Sequence, residues 1–200
     1  LTGELYVVSA PSGAGKTTLL RRLLAAEPGL RFSISYTTRP PRPQEVQGRD
    51  YFFVTPEEFR RLRDEGGLLE WVEQFGHLYG TSRDYVSQSL AEGYGVVFDI
   101  EVRGAKAIKK SFPYATFIFV LPPSLEVLEA RLRGRGGMTP EELSRRLTQG
   151  RLDLAEAHWY DYLVVNDDLD TALGELRAIV LACRCRTTRR WPYLSERFGY

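Results

Sequence analysis

The chain is poor in the residues that mark disulfide scaffolds and metalloproteins: its 200 residues include two cysteines and two histidines. Cys183 and Cys185 lie close together near the end of an apolar-periodic stretch. They are too near each other to bridge comfortably and have no histidine neighbour, so they read as reduced thiols. His77 falls in a turn between aromatic residues and His158 follows a helical AEA stretch beside Trp159; neither is placed as a catalytic base. An excess of one charge is also missing: 27 Lys and Arg stand against 26 Asp and Glu, a formal net charge of +1. That balance gives no global field for nucleic acid or a membrane surface. No apolar run approaches the roughly 18 residues a membrane span needs, and no charged-then-apolar leader is visible. The expectation is a cytoplasmic enzyme with neither a membrane nor a nucleic-acid partner, monomeric or homodimeric. The basic, aromatic stretch RCRTTRRWPYLSERFGY at 184 to 200 leaves two readings open, an RNA contact or a helix packing its aromatics on its own domain or a second subunit. The second is preferred.

What is present begins at residues 5 to 24. Leu5, Tyr6, Val7 and Val8 form a short β-prone apolar run, and Leu19, Leu20, Leu23 and Leu24 recur at helical spacing opposite Arg21 and Arg22. Between them lies SAPSGAGKTT. In a strand–loop–helix setting, Gly13 and Gly15 let successive N–H groups converge at the positive end of the helix dipole. Lys16 then reaches the β and γ phosphates and the Thr17 hydroxyl ligates magnesium. Ala10 occupies the first slot of the pattern, where a small residue matters more than glycine itself. An ordinary glycine-rich turn with a solvated lysine is the alternative.

Further apolar runs, VVFDI at 96 to 100, TFIFVL at 116 to 121 and DYLVVN at 161 to 166, are separated by helix-length segments. Strands alternating with helices predict an α/β fold, a three-layer domain with a parallel sheet flanked by helices, whose ligands bind beyond the carboxyl ends of the strands. Two stretches break the rhythm. Residues 32 to 82 hold short strand-like pieces (FSISYTT, DYFFVT, LLEWVEQF, HLYGTS) around the helical TPEEFRRLRDEG, whose Thr55 and Glu58 form a capping box. Such a block would be a small α+β insert over the cleft. Residues 131 to 147, RLRGRGGMTPEELSRRL, carry arginines among glycines and then a helix start at Thr139 or Pro140, which predicts a mobile arginine-rich lid. The core is then about 1–31, 83–130 and 148–200 of one domain.

Asp99 ends the VVF strand, at the ligand edge of the sheet, where P-loop enzymes hold the magnesium shell; a carboxylate capping the next helix is the competing reading. Glu101 shares its face. In TTRPPRPQEVQGRDYFF, prolines present Arg39 and Arg42 stiffly, and two guanidinium forks suit a dianionic phosphate. Tyr51 and Tyr79 can add hydroxyls, although a solvated basic loop has the same composition. Glu70 lies next to Trp71 within an otherwise apolar run. One carboxylate accepts both N1–H and the exocyclic amine of guanine, whereas adenine would repel it. Ser35 and Thr81 are expected to donate to the base carbonyl. An exposed charge on a strand edge remains the alternative for Glu70.

From LYVVSAPSGAGKTTL through FSISYTTRPPRPQEVQGRDYFFV, EWVEQFGHLYGTS, VVFDIEVRGAK and FIFVLPPSLEVLEARLRGRG to VVNDDLD, the chain resembles the guanylate kinase family over nearly its whole length. The resemblance implies an ATP:GMP phosphotransferase using Mg2+ with ATP and accepting GMP or dGMP. It implies that Ala10, Pro11, Ser12, Gly13, Ala14, Gly15, Lys16, Thr17 and Thr18, with Arg131, Arg135, Asn166 and Asp167, bind ATP. It implies that Arg39, Arg42, Tyr51 and Tyr79 hold the GMP phosphate and that Ser35, Glu70, Thr81 and Asp99 hold the base, beside Glu101 and Gly104. Lys16, Arg39, Arg135 and Arg146 would be catalytic, and Thr17, with Asp99 through water, would serve the metal. Ala10, Thr81, Glu101 and Arg103 depart from common family choices; Glu101 and Arg103 bear on the detail of the GMP and magnesium shell. A phosphopeptide-binding module of the same fold, or a kinase with another acceptor, are the competing readings; the intact P-loop speaks against the first and Glu70 against the second.

Overall fold

The computed structural model describes residues 3–74, 76–134 and 136–199. At its centre is β1 (Leu5–Ser9), every residue of which is buried. Its continuous apolar run has no polar face, and it is accordingly flanked on both sides by parallel strands, β7 (Gly95–Asp99) and β8 (Thr116–Leu121). With β2 (Leu30–Phe32) and β9 (Tyr162–Val165) at the edges, the five-stranded sheet runs β2-β7-β1-β8-β9, and each pairing in it is parallel. The sequence runs at 96–100, 116–121 and 161–166 are β7, β8 and β9. β2 was not foreseen as a strand: its three residues LRF are too short to carry a period.

Helices cover both faces. On one, α1 (Lys16–Ala26) and α7 (Leu169–Arg184) pack Leu19, Leu20, Leu23, Leu176 and Val180 against Tyr6, Val8 and Ile118. On the other, α3 (Arg83–Ala91), α4 (Val102–Ser111) and a 3-10 turn over Ala157–Trp159 enclose Val7, Phe98, Phe117 and Phe119. Each fully buried side chain of this size contributes about 1.5–3 kcal/mol.

After Phe32 the chain leaves this sheet and builds a second one, β4-β3-β6-β5, from β3 (Ser35–Thr37), β4 (Phe52–Phe53), β5 (Leu68–Gln74) and β6 (His77–Ser82). α2 (Pro56–Asp64) starts where predicted, Thr55 accepting the Glu58 N–H at 3.2 Å. The stretch read as a glycine-broken lid is more helical than its composition implied. α5 (Leu125–Gly134) carries Arg131 and Arg133 in its last turn, and α6 (Pro140–Ala155) starts after a short connection, capped by Thr139. Leu128 and Leu132 are fully buried, and this anchorage continues the helix past Arg131.

The terminal α8 (Thr187–Phe198) buries none of its residues. Trp191, Tyr193 and Phe198 are 53%, 53% and 67% exposed, so of the two packings expected for these aromatics, on their own domain or on a second subunit, the first does not occur. The tail is held by charge: Arg186 and Arg189 meet the nearly buried Glu4 at 3.5 and 2.5 Å. Both cysteines are free, Cys183 buried and Cys185 exposed. Among the described residues no helix is long and apolar enough to cross a membrane.

Candidate active site

The loop after β1 is a turn only glycine tolerates at two points. Gly13 and Gly15 have φ of 98° and 88°, a region that L side chains rarely adopt. Space forbids a side chain as well: a methyl on Gly15 would lie 2.4 Å from Asn166 Nδ2, and one on Gly13 would meet Leu132 and Leu128 at 3.0–3.1 Å. Ala10, in the first slot, packs against the core beneath. The loop is braced from the end of β9. Asn166 Nδ2 donates to the Ala14 carbonyl at 2.7 Å, and Arg131 donates to the Asn166 carbonyl at 3.0 Å and to Ala14 O at 3.5 Å. Asn166 is buried, so its amide nitrogen serves the loop; Asp167 beside it is exposed.

Lys16 begins α1, its ammonium 2.5 Å from Asp99 Oδ1 and donating to the carbonyls of Ile100 at 3.2 Å and Val8 at 3.5 Å. Sheet register explains the pairing, because Val8 of β1 lies opposite Asp99 of β7. Asp99 is thus an ion-pair partner in the cleft; the helix-capping role belongs to the backbone of Glu101, which caps α4 without a side-chain bond. Thr17 and Thr18 are exposed in the first turn of α1, and Pro11 lies buried behind the exposed Ser12. From α6, Arg146 reaches Ser12 Oγ at 3.2 Å while bonding Glu142 at 2.8 Å. Arg135 lies outside the described residues.

The second sheet lies against α4, with Glu70 of β5 beside Gly104. In β3, Ser35 sits opposite Thr81 and Thr37 opposite Tyr79 of β6. Arg39 follows β3, its guanidinium carbon 5.4 Å from the Tyr51 ring centre, and Tyr51 and Tyr79 meet edge to face at 6.2 Å. Burial, with the Asp99 charge facing it, pushes the Tyr51 phenol up to about 12, so it stays a donor at neutral pH. Arg42 presents an exposed side chain nearby.

Glu70 is 8% exposed. It shares the inward face of β5 with Leu68, and burial pushes its carboxyl above the usual range, partly offset by the Thr81 hydroxyl. That hydroxyl donates to Glu70 Oε1 at 2.6 Å. Thr81 was expected to donate to a base carbonyl; a hydroxyl has one proton, and here it goes to Glu70. Gly104 has a steric reason: a methyl there would lie 3.1 Å from Glu70 Oε2. Glu101 accepts from Gln74 Nε2, and burial raises its carboxyl.

Sequence reasoning missed three residues. Gln74 of β5 donates to Glu101, and Asp153, near the C-terminal end of α6, accepts from Gln149, its carboxyl raised by burial and drawn down in part by the Gln149 amide and the Lys16 charge; nothing local distinguishes either. The third, Glu45, is the acid inside the basic proline loop, and it pairs with Arg39 at 2.8 Å. Among the described residues no three His, Cys, Asp or Glu side chains are placed to cage a metal.

A glycine-turned loop that leads from the central strand into the helix begun by Lys16, together with a second sheet carrying its own cationic and acidic side chains, belongs to a P-loop phosphotransferase of the nucleoside monophosphate kinase class. A family model described as guanylate kinase matches residues 2–182. The chain is 45% identical over 197 residues to a guanylate kinase of Geobacter sulfurreducens, covering 98% of this chain and 97% of that protein. It is 47% identical over 194 residues to one of Symbiobacterium thermophilum, covering 97% and 92%. The crystal structure of guanylate kinase from Anaplasma phagocytophilum superimposes with a TM-score of 0.77 at 30% identity, covering 100% of this chain and 97% of that one. The chain belongs to the guanylate kinase family.

Proposed function

We propose that this chain transfers the γ-phosphoryl group of ATP to GMP, and to dGMP, in the cytoplasm, giving ADP and the guanine nucleoside diphosphate. The observation that carries the choice of acceptor is Glu70, a buried carboxylate fixed at one oxygen by Thr81, with Gly104 clearing the space beside the other. Ionised, it accepts the N1–H and exocyclic amine of guanine. Adenine, with a lone pair at N1, leaves it buried and unpaired. Ser35 supplies a hydroxyl at the base, and Thr81 acts by orienting Glu70.

Phosphoryl transfer needs position and charge more than covalent help from the protein. The acceptor is already an anion, so no general base is required; the obstacle is repulsion between two anions. Arg39, Arg42, Tyr51 and Tyr79 hold the GMP phosphate, and the backbone N–H groups of 11–18 cradle the ATP phosphates. Lys16 leaves Asp99 to reach the β and γ oxygens. Arg131, Arg135 and Arg146 neutralise the transferred group from the lid, about 131–147, while the insert, about 32–82, brings GMP in line. Asn166 and Asp167 border the adenine. Closure excludes water and so suppresses ATP hydrolysis. The oxygen donors at the P-loop edge suit magnesium: the Thr17 hydroxyl would hold it directly and Asp99 would hold it through water. Bound with ATP, magnesium would supply positive charge that offsets the phosphate oxygens.

A coupled assay with ATP and magnesium against GMP, dGMP, AMP, CMP and UMP tests this. Turnover of GMP and dGMP alone is the expected result. Binding of GMP without turnover of any acceptor makes the chain a binding module, and preference for AMP refutes the assignment of Glu70.

A further inference from the structure

The acid embedded in the basic loop is not a spectator. Arg39 NH1 and NH2 donate to the two oxygens of Glu45 at 2.9 and 2.8 Å, an end-on fork. Glu45 Oε2 also accepts the Arg42 backbone N–H at 2.7 Å, closing the turn in which the Glu45 N–H donates to the Arg42 carbonyl at 3.0 Å. One carboxylate therefore fixes the guanidinium of the first phosphate-binding arginine and the backbone of the second. Prolines at 40, 41 and 43 stiffen the same turn.

A guanidinium has five N–H donors. Glu45 takes one from each terminal nitrogen, and the second hydrogen of NH1 goes to the Pro40 carbonyl at 2.7 Å. Nε–H and the outer N–H of NH2 lie parallel along the other edge, with the Tyr79 hydroxyl beside the guanidinium, and that is the edge a phosphate takes bidentately. We propose that Glu45 is a positioning residue for the acceptor phosphate, clamping the end of Arg39 so that its side edge faces the incoming dianion. This rests on the reading of the loop as the GMP phosphate site.

The sign of the effect makes the idea testable. By charge alone, Glu45 opposes a second anion at Arg39, so its removal should tighten GMP binding. By orientation, its removal frees a long side chain that must be ordered again on every binding event. GMP binding is to be measured by calorimetry without ATP, together with initial rates, for the unaltered chain, Glu45→Gln, Glu45→Asp, Arg39→Lys and the Arg39→Lys/Glu45→Gln pair, with a melting curve for each. Glu45→Gln is expected to weaken GMP binding and raise its KM about tenfold, the scale of one charged hydrogen-bonding partner, while the KM for ATP stays within about twofold. Glu45→Asp keeps the charge but is one methylene too short for the fork, so it is expected not to restore binding. In the Arg39→Lys background Glu45→Gln is expected to add little.

GMP binding unchanged or tightened in Glu45→Gln overturns the inference, as does an equal rise in both KM values, full function in Glu45→Asp, or additivity in the double variant. Should Glu45→Gln not fold, Glu45→Asp decides alone. Failure of the unaltered chain to bind GMP overturns instead the functional reading beneath.

Discussion

Thr81 and Glu70, on neighbouring strands of the insert, share a buried 2.6 Å hydrogen bond in which the hydroxyl donates to the carboxylate. The bond stabilises the ionised form that the base must meet, against a burial that favours the protonated one. Thr81→Val removes it at almost constant volume. The expected result is a rise of about tenfold in the KM for GMP, the scale of a hydrogen bond to a charged group. The acid limb of kcat/KM should also move to higher pH, because Glu70 loses the group that lowers its pKa. A pH–rate profile with GMP checks both.

Glu70→Gln separates stability from function. In the unfolded chain Glu70 ionises in the ordinary carboxylate range, whereas in the folded chain burial keeps it protonated to higher pH. As pH rises through that window the unfolded state releases its proton first, so the native protein loses stability to this site, and above the folded pKa the loss is complete. The glutamine variant escapes it. Melting curves are therefore expected to favour the variant at neutral pH, with the gap closing as pH falls below the window. kcat/KM for GMP should meanwhile drop by about two to three orders of magnitude, as two hydrogen bonds lose their charge. The acid limb from Glu70 disappears, and the limb from the substrate's own phosphate, near about 6, remains.

How far these features could be read beforehand depends on whether their cause is local. The P-loop was legible because two left-handed glycines, a lysine and a helix start lie within a few residues. Glu70 was legible as an acid in an apolar run. Its partner was not: β5 and β6 shift register between Leu68 and Trp71, and such a slip decides which side chains meet while leaving no trace in composition. Arg131 reads as part of a loop because glycines surround it, and it is helical because Leu128 and Leu132 anchor α5. The tail aromatics point to solvent because a two-arginine tether to Glu4, distant in sequence, fixes α8 without burying it.

Gly104→Ala tests the space reserved for Glu70. Gly104 lies within α4, where alanine favours the helix by about 1 kcal/mol. The added methyl nevertheless sits 3.1 Å from Glu70 Oε2, and the carboxylate must shift by a few tenths of an ångström. The expected variant melts no lower than the parent yet binds GMP more weakly, with the KM for ATP unchanged; steady-state kinetics and a melting curve together decide it.

Asn166→Leu tests the brace under the ATP loop. The buried Ala14 carbonyl loses its 2.7 Å donor and keeps the 3.5 Å contact with Arg131, at a cost of about 1–3 kcal/mol for a poorly satisfied buried acceptor. ATP affinity is expected to fall while GMP affinity, measured alone, does not. Nucleotide titrations by calorimetry read both.

The Val8–Asp99 register puts the carboxylate that holds Lys16 on β7, next to the central strand of a sheet closed on both faces. Amide hydrogens along β1 and β7 can therefore exchange with solvent only when the whole molecule opens, whereas those of β3 and the two-residue β4 need no more than a local excursion of the insert. Asp99 is held as durably as the fold itself, and wear begins in the second sheet, at the part proposed to select the acceptor.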